Sequence, residues 1–213
     1  MSRPLLYDYF RSSAAYRVRI ALNLKQIDYE SRPVDLRAGE QKAAAYREIS
    51  PQGLVPVLEI DGHRLTQSLA IIGYLDQRFP QQPLLPSAAD LRAHVIAMAL
   101  TVACDIHPLN NLRVLKYLAG PLEVAEEQRD SWYRHWVSEG LAALEQLAAP
   151  RAGSFLFGTA PTLADVCVVP QLYNARRYAV PLDGYQALLR AEENANKLDA
   201  FAAAAPERQE VPA

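Results

Sequence analysis

Two adjacent serines near the start of the chain, Ser12 and Ser13, stand where chemistry on an anion is possible. They follow a short apolar run, residues 4–9, and precede a stretch with helical spacing of its apolar residues, residues 14–25. Hydroxyls at a helix N-terminus, together with the N–H groups and dipole of that helix, favour a bound anion such as a thiolate. A plain helix cap explains the same two residues.

Two further features could hold other parts of one ligand. Val55 precedes Pro56 where a Pro/Gly loop enters a strand, and a cis bond there would turn the Val55 backbone outward to pair with an extended peptide. Gln67 and Ser68 open another helix, whose first N–H groups suit a carboxylate, while the Gln67 amide oxygen can accept from an ammonium group. A trans proline and a second helix cap are the alternatives.

All three features fall near one end of a small predicted sheet, where ligands bind in α/β layers. A ligand that spans them carries a thiolate at one end, a peptide in the middle and an α-amino acid at the other end. Glutathione has these three parts, so the residues indicate a glutathione site.

The elements that position these residues predict two domains. Residues 1–80 have the order β-α-β-α-β-β-α, with a hairpin turn at Asp61-Gly62, which gives a small mixed sheet with helices on its faces. The Pro-rich residues 81–87 predict a linker, because proline cannot continue a helix. Residues 88–213 are predicted to be entirely helical.

Within the second domain we expect one long helix from Ser87 or Asp90 to about Leu118, bent near Pro108. Thr162 and Asp165 form a capping-box pattern in front of the apolar residues 166–172. Because residues 166–169 are apolar on all sides, this helix is predicted to lie at the buried centre of the domain.

Composition limits the classes of function. The net charge of the 213 residues is −2, so no basic field indicates binding to nucleic acid or to an anionic membrane. The chain has neither a long apolar run nor a signal-peptide pattern, and we expect a cytoplasmic protein. Cys104 and Cys167 are far apart, match no metal-site spacing, and are expected to be reduced and buried as small apolar residues.

Several motifs along the chain match the pattern of one family. They are Tyr9-Phe10-Arg11-Ser12-Ser13, Arg17-Val18-Arg19-Ile20-Ala21-Leu22, Val55-Pro56, Gln67-Ser68-Leu69-Ala70-Ile71-Ile72, Pro108-Leu109, Asn111-Leu112, Ala164-Asp165, Val169-Pro170-Gln171 and Asn174-Ala175. The chain resembles the zeta class of cytosolic glutathione transferases over nearly its whole length. The resemblance implies an α/β thioredoxin-like N-terminal domain, an all-α C-terminal substrate-binding domain, a homodimer, and glutathione as the cofactor.

The resemblance also implies which residues bind glutathione: Ser12, Ser13, Gln41, Val55, Pro56, Gln67, Ser68, His107 and Asn111. Ser12 and Ser13 would lie beside the sulfur as the catalytic residues, and we favour Ser12 as the main thiolate stabiliser. Val55 would pair with the cysteinyl part, and Gln67 and Ser68 would hold the γ-glutamyl end. Gln41 would reach the glycyl end, with no metal required.

Substrate carboxylates would bind to Arg177, with Arg11 and Arg176 as further candidates, since arginine binds carboxylates in a bidentate fork. Two residues depart from the class pattern. Ala14 stands where a cysteine is frequent, which removes a protein thiol from this point of the site. His107 stands where a glutamine is frequent, so its contact with glutathione is expected to differ in kind from that of the class.

The best-known activity of the class is the isomerisation of maleylacetoacetate to fumarylacetoacetate in tyrosine and phenylalanine breakdown. Maleylpyruvate isomerisation is a close alternative, because the two substrates differ mainly in chain length. Conjugation of other electrophiles or turnover of α-haloacids is a third. A non-catalytic binding protein of the same fold is a fourth, against which the intact Ser12, Ser13, Gln67 and Ser68 argue.

Overall fold

The computed structural model describes residues 3–211. The chain divides into two compact units: the first extends to Pro83 and takes in the residues from Asn196 onward, and the second is Leu84–Ala195. The division after Pro83 lies within residues 81–87, where the linker is expected. The return of the last residues to the first unit differs from the expected helical domain of residues 88–213. Hydrogen bonds from Arg19 and Asn23 hold these residues there.

The first unit has the predicted order of strands and helices. Its elements are β1 (Leu5–Asp8), α1 (Ser13–Leu24), β2 (Glu30–Pro33), α2 (Ala44–Ile49), β3 (Val57–Ile60), β4 (His63–Thr66) and α3 (Ser68–Arg78), followed by the C-terminal α9 (Asp199–Ala202). Within residues 3–211 the sheet has the order β2-β1-β3-β4, with β1 and β2 parallel and the other pairs antiparallel. The predicted α/β fold is confirmed.

The register of the sheet brings three segments of the chain together at one end of the strands. Val57 lies opposite Tyr7 on one side and opposite Thr66 on the other. Just beyond this row, β1 leads to Ser12, β3 is entered from Pro56, and β4 leads to the start of α3. Ser12, the Val55-Pro56 bond and the start of α3 therefore all lie at the same end of the strands.

Both faces of the sheet are covered. On one face, Tyr7 and Val57 pack with Val34 and Tyr46, the latter from α2. Side chains alternate across a strand, so Leu6 and Leu58 point to the opposite face, and both are fully buried there. This core fixes the ends of β1 and β3, from which the site residues project.

The second unit is helical. Its elements are α4 (Ala89–Leu100), a π-helical turn (Thr101–Ile106), a 3₁₀ turn (His107–Asn110), α5 (Leu112–Ala119), α6 (Glu126–Ala148), α7 (Leu163–Arg177) and α8 (Gln186–Asn196), which ends at the unit boundary. No helix in residues 3–211 combines the length and the apolar character needed to cross a membrane.

The expectation of one continuous helix to about Leu118 is wrong. The α-helix ends at Leu100, and Asn111 has an extended backbone with φ −66° and ψ 146° before α5 begins. Pro108 contributes to this break, because it has no N–H to donate and its ring crowds the carbonyl four residues earlier. As a result, His107 is the first residue of the 3₁₀ turn and Asn111 is the N-cap of α5.

The start of α7 confirms the predicted capping box. The Thr162 hydroxyl and N–H both donate to the Asp165 carboxylate, at 2.9 and 2.8 Å. Val166, Cys167 and Leu172 have no exposed surface, so the prediction of a central buried helix is also confirmed.

Candidate active site

Ser12 is both the cap of α1 and a free hydroxyl donor. Its Oγ accepts from the N–H of Ala15 at 3.2 Å, and its own N–H donates to the carbonyl of Tyr9 at 2.8 Å. Because the oxygen already accepts inside the protein, the hydroxyl proton is left to donate outward. The N–H of Ala14 has no acceptor among residues 3–211 and adds a second donor at the same helix end.

Ser13, the neighbouring serine, is 5% exposed, whereas Ser12 is partly exposed. Ala14 is also partly exposed. The surface available to a ligand at this helix start therefore belongs to Ser12 and Ala14 more than to Ser13, which supports Ser12 as the stronger candidate.

The start of α3 is a second group of donors. The N–H groups of Ser68, Leu69 and Ala70 have no acceptor among the described residues. Gln67 has φ +67°, a backbone conformation that a non-glycine residue rarely adopts. Its Nε2 donates to Gln52 Oε1 at 2.8 Å, which directs the Gln67 amide oxygen away from that contact. Strained residues of this kind are concentrated at ligand sites.

Arg17 orients the hydroxyl of Ser68. Its Nη1 donates to Ser68 Oγ at 3.3 Å, and both side chains are buried. As at Ser12, the seryl oxygen accepts internally and its proton can be donated to a ligand. Sequence reasoning missed this role, although the position of Arg17 on the apolar stripe of α1, three residues after Ala14, was a usable signal.

The bond between Val55 and Pro56 is cis. Neither the N–H nor the C=O of Val55 has a hydrogen-bond partner among residues 3–211. The preceding residue is fixed, because the hydroxyls of Tyr46 and Ser50 donate to the Leu54 carbonyl at 3.0 and 2.9 Å. Val55, just before β3, thus presents an unpaired backbone donor and acceptor, the arrangement that an added peptide strand requires.

Gln41 lies in a 3₁₀ turn, Glu40–Lys42, and is 9% exposed. Its Nε2 approaches the carbonyl of Leu36 at 3.5 Å, while its buried Oε1 has no partner in the described chain. A buried acceptor without a donor is costly. This oxygen therefore favours a ligand N–H or a water at this position.

Gly53 shapes the backbone that carries Gln41. It has φ +62°, and a Cβ placed on it would lie 2.6 Å from the carbonyl oxygen of Gln41. Gly53→Ala is expected to cost about 2–4 kcal/mol of stability from strain and the clash together, and to weaken glutathione binding. Chemical denaturation and titration with glutathione measure the two effects.

The matched control is Gly62→Ala. Gly62 also has positive φ, +78°, but nothing lies within 4 Å of a Cβ placed there. It should show only the strain cost, about 1–2 kcal/mol, and unchanged glutathione binding. Equal effects of the two substitutions on binding would contradict the role of the Gly53–Gln41 contact.

His107 and Asn111 contact each other in the second unit. The Asn111 amide nitrogen lies 3.3 Å from His107 Nε2, and Asn111 Oδ1 caps α5 by accepting from the N–H of Arg113 at 3.1 Å. The Trp132 indole also holds this turn by donating to the carbonyl of Leu109 at 2.9 Å. Asn111 therefore has a clear structural role beside its predicted role toward glutathione.

The three candidate arginines differ in their partners. Arg176 makes a bidentate pair with the buried carboxylate of Glu192 at 2.5 and 2.6 Å, which favours a structural role. Arg177 is exposed, lies over the ring of Tyr178, and has no ion pair among the described residues. Arg11 is likewise exposed and lies over Phe10. Of the three candidates, Arg177 and Arg11 therefore have guanidinium groups available to bind a substrate carboxylate.

An aromatic stack lies beside Arg177. The rings of Tyr133 and Tyr178 are nearly parallel, with centroids 3.5 Å apart. Burial raises the pKa of the Tyr133 hydroxyl, an effect that the nearby Tyr178 increases and that Arg177 opposes. Tyr133 is therefore neutral over the physiological range, so it does not neutralise Arg177.

Comparison with known proteins identifies the family. Residues 6–83 match the family model described as the glutathione S-transferase N-terminal domain, and residues 123–204 match its C-terminal domain. A probable maleylacetoacetate isomerase from Vibrio cholerae is 50% identical over 212 residues, 98% of each chain. The chain belongs to the glutathione S-transferase family. The resemblance to its zeta class is confirmed.

Solved structures of related glutathione S-transferases have the same fold. The holo structure of a maleylpyruvate isomerase, described as a bacterial zeta-class member, superposes with a TM-score of 0.95 at 42% identity, covering 98% of this chain and 100% of that one. A maleylacetoacetate isomerase from Anaeromyxobacter dehalogenans with bound glutathione superposes with a TM-score of 0.88 at 45% identity, covering 97% and 96%.

The unpaired groups of this transferase fit glutathione. They are the N–H of Ala14, the backbone of Val55, the first N–H groups of α3 and the buried Gln41 Oε1. In residues 3–211, no three His, Cys, Asp or Glu side chains are grouped so as to hold a metal ion. The donors and acceptors that the fold leaves open therefore match a peptide with anionic ends.

Proposed function

We propose that this transferase is a cytoplasmic, glutathione-dependent cis–trans isomerase that converts maleylacetoacetate to fumarylacetoacetate. The observation that carries the proposal is the partly exposed hydroxyl of Ser12 at the start of α1, whose oxygen accepts from the N–H of Ala15 and whose proton remains available to a ligand. The name of the Vibrio cholerae relative supports the substrate. Cys104 and Cys167 form no disulfide within residues 3–211, which supports a reducing compartment. Cys167 is buried as expected, whereas Cys104 is exposed, contrary to the expectation.

The residues around Ser12 favour a thiolate. An unperturbed thiol of the cysteinyl type has a pKa of about 8.5. The Ser12 hydroxyl, the Ala14 N–H and the dipole of α1 all favour the charged form and so lower that pKa. When bound, glutathione supplies a thiolate that adds reversibly to the conjugated double bond of the substrate, so that the bond can rotate before it is restored.

The other residues hold and orient the reactants. Val55 pairs through its backbone with the peptide part of glutathione, and Ser68, oriented by Arg17, binds the γ-glutamyl carboxylate. Gln67 accepts from the ammonium group, and Gln41 accepts from the glycyl end. Asn111 and His107 are further glutathione contacts that family resemblance predicts.

Substrate carboxylates are assigned to exposed arginines. Arg177 and Arg11 have no ion pair within the described chain, so their guanidinium groups are open to a carboxylate fork. Arg176 is excluded from this assignment by its pair with Glu192. Replacing Arg177 by glutamine should therefore raise the KM for the substrate while leaving the KM for glutathione nearly unchanged.

The decisive experiment is a direct assay with maleylacetoacetate and maleylpyruvate, each with and without glutathione. We expect faster, glutathione-dependent turnover of maleylacetoacetate. Maleylpyruvate is the second candidate, because the holo maleylpyruvate isomerase superposes with the higher TM-score of the two structures compared. Preference for maleylpyruvate would reassign the substrate, and a lack of turnover of both would refute the isomerase.

We also propose a homodimer that uses the exposed side of α4. Ala93, Ala97 and Leu100 lie on that side, and Leu100 is 42% exposed. An apolar helix face in contact with water favours association with a second copy. Leu100→Glu is expected to shift the mass measured by light scattering from dimer to monomer, whereas Leu122→Glu, at another exposed leucine, should not.

A further inference from the structure

Arg19 is a fully buried cation that the proposed chemistry does not use. It lies on α1 with no exposed surface, and Asp8, its ion-pair partner at the end of β1, is 3% exposed. Burial raises the pKa of the adjacent Tyr29 to about 12, which marks the surroundings of the pair as poor in water. A buried ion pair of this kind gives little net stability compared with apolar side chains of similar size. Its geometry therefore needs another explanation.

The guanidinium of Arg19 joins three segments of the chain. Its Nη1 donates to both carboxylate oxygens of Asp8, at 2.7 and 2.9 Å. Its Nη2 donates to the carbonyl of Phe10 at 3.1 Å, and its Nε donates to the carbonyl of Ala204 at 2.9 Å. Arginine alone among the side chains offers this planar fork of donors.

Two of these contacts fix the loop that carries Ser12. Asp8 and Phe10 flank Tyr9, and the carbonyl of Tyr9 accepts from the N–H of Ser12 at 2.8 Å. Arg19 thus holds both neighbours of the residue that positions the Ser12 backbone. It does so without placing net charge at the site, because Asp8 neutralises it.

The third contact ties this loop to the C-terminal segment. Ala204 follows α9, whose Phe201 is fully buried, and α9 packs on α1. The side chain of Asn23 makes a second link, donating to the carbonyl of Ala200 at 3.0 Å. The C-terminal segment and the loop that carries Ser12 therefore both accept hydrogen bonds from Arg19.

We propose that Arg19 is a positioning residue that couples the C-terminal segment to the Ser12 loop and so sets how well the Ser12 hydroxyl stabilises a bound thiolate. The inference rests on the proposed function, since it concerns the same thiolate. Loss of the Arg19 contacts frees the loop and misdirects the hydroxyl, although Ser12 itself is unchanged.

The test is the pKa of the glutathione thiol in the complex, read from the ultraviolet absorbance of the thiolate as pH is varied. Arg19→Lys keeps the charge but not the fork, and should raise this pKa by about one unit, which lowers the rate at neutral pH by up to about tenfold. Asn23→Ala, which loosens the C-terminal segment, should raise it by about half a unit. The KM for glutathione should change less than about threefold, because Val55 and Ser68 are untouched.

Two variants are matched controls. Arg3→Lys alters an exposed arginine that pairs with Asp28, and Asn194→Ala removes a similar amide-to-carbonyl bond, to Ser154, in the second unit. Both should leave the thiol pKa unchanged. If Arg19→Lys does not fold, the shift of the thiol pKa in Asn23→Ala tests the inference on its own. An unshifted thiol pKa in the folded variants would overturn the inference, and a wild-type protein that binds no glutathione would overturn the proposed function with it.

Discussion

Ser12→Ala is expected to lower the rate of isomerisation about 100- to 1,000-fold, the usual effect of removing one oriented donor from a developing or bound anion. Affinity for glutathione should fall less than about tenfold, because Val55 and the start of α3 hold the rest of the ligand. Steady-state kinetics at varied glutathione separate the two. Equal activity of mutant and wild type at saturating glutathione would refute the role of Ser12.

Ser12 is also the cap of α1, so its loss should cost about 1 kcal/mol of stability as well. Ser12→Asp separates the two functions, because aspartate caps helices well but offers an anion instead of a donor. We expect it to keep stability and to lose more activity than Ser12→Ala. Ser12→Thr keeps both the cap and the donor, and should retain most of the activity.

Asp165→Ala is expected to lower the free energy of unfolding by about 3–5 kcal/mol, since each buried donor left without a partner costs about 1–3 kcal/mol. The carboxylate accepts from the N–H of Leu156 at 2.9 Å and from both the N–H and the hydroxyl of Thr162. Thermal unfolding should occur about 10 °C lower for a chain of this size. Activity measured well below that temperature should persist, because Asp165 is proposed to be structural.

Asp130→Ala is the control for this prediction. Asp130 lies on the surface of α6, with Arg134 4.0 Å away, and such pairs contribute little. Its substitution should change stability by less than about 0.5 kcal/mol. A similar loss from Asp130→Ala and Asp165→Ala would mean that the buried carboxylate does not hold the start of α7.

Local patterns were enough to predict much of this protein. The alternation of apolar runs and turn residues gave the order of elements in the first unit, and Asp61-Gly62 marked its hairpin. The Thr162–Asp165 spacing predicted the start of α7, because capping depends only on neighbours a few residues apart. Ser12 as a cap was predictable for the same reason.

Features set by distant contacts were not predictable. The apolar spacing of residues 89–119 continues through Pro108, so it gives no sign that the helix breaks as completely as it does. Arg17 and Arg19 are of a type usually found at the surface, and only their tertiary partners explain their burial. The positive φ of Gln67 has no local sequence signal, because nothing in a glutamine favours that conformation.

The discontinuous first unit has a consequence for synthesis of the chain on the ribosome. Residues up to Pro83 emerge first, yet the carbonyls of Ala200 and Ala204 that accept hydrogen bonds from α1 emerge only after the whole second unit, Leu84–Ala195. The Nε–H of Arg19 therefore lacks its partner, the Ala204 carbonyl, while the whole second unit is being translated. This part of the protein therefore completes its structure only after the second unit has been synthesised, unlike the N-terminal-first, domain-by-domain order usual for multidomain proteins.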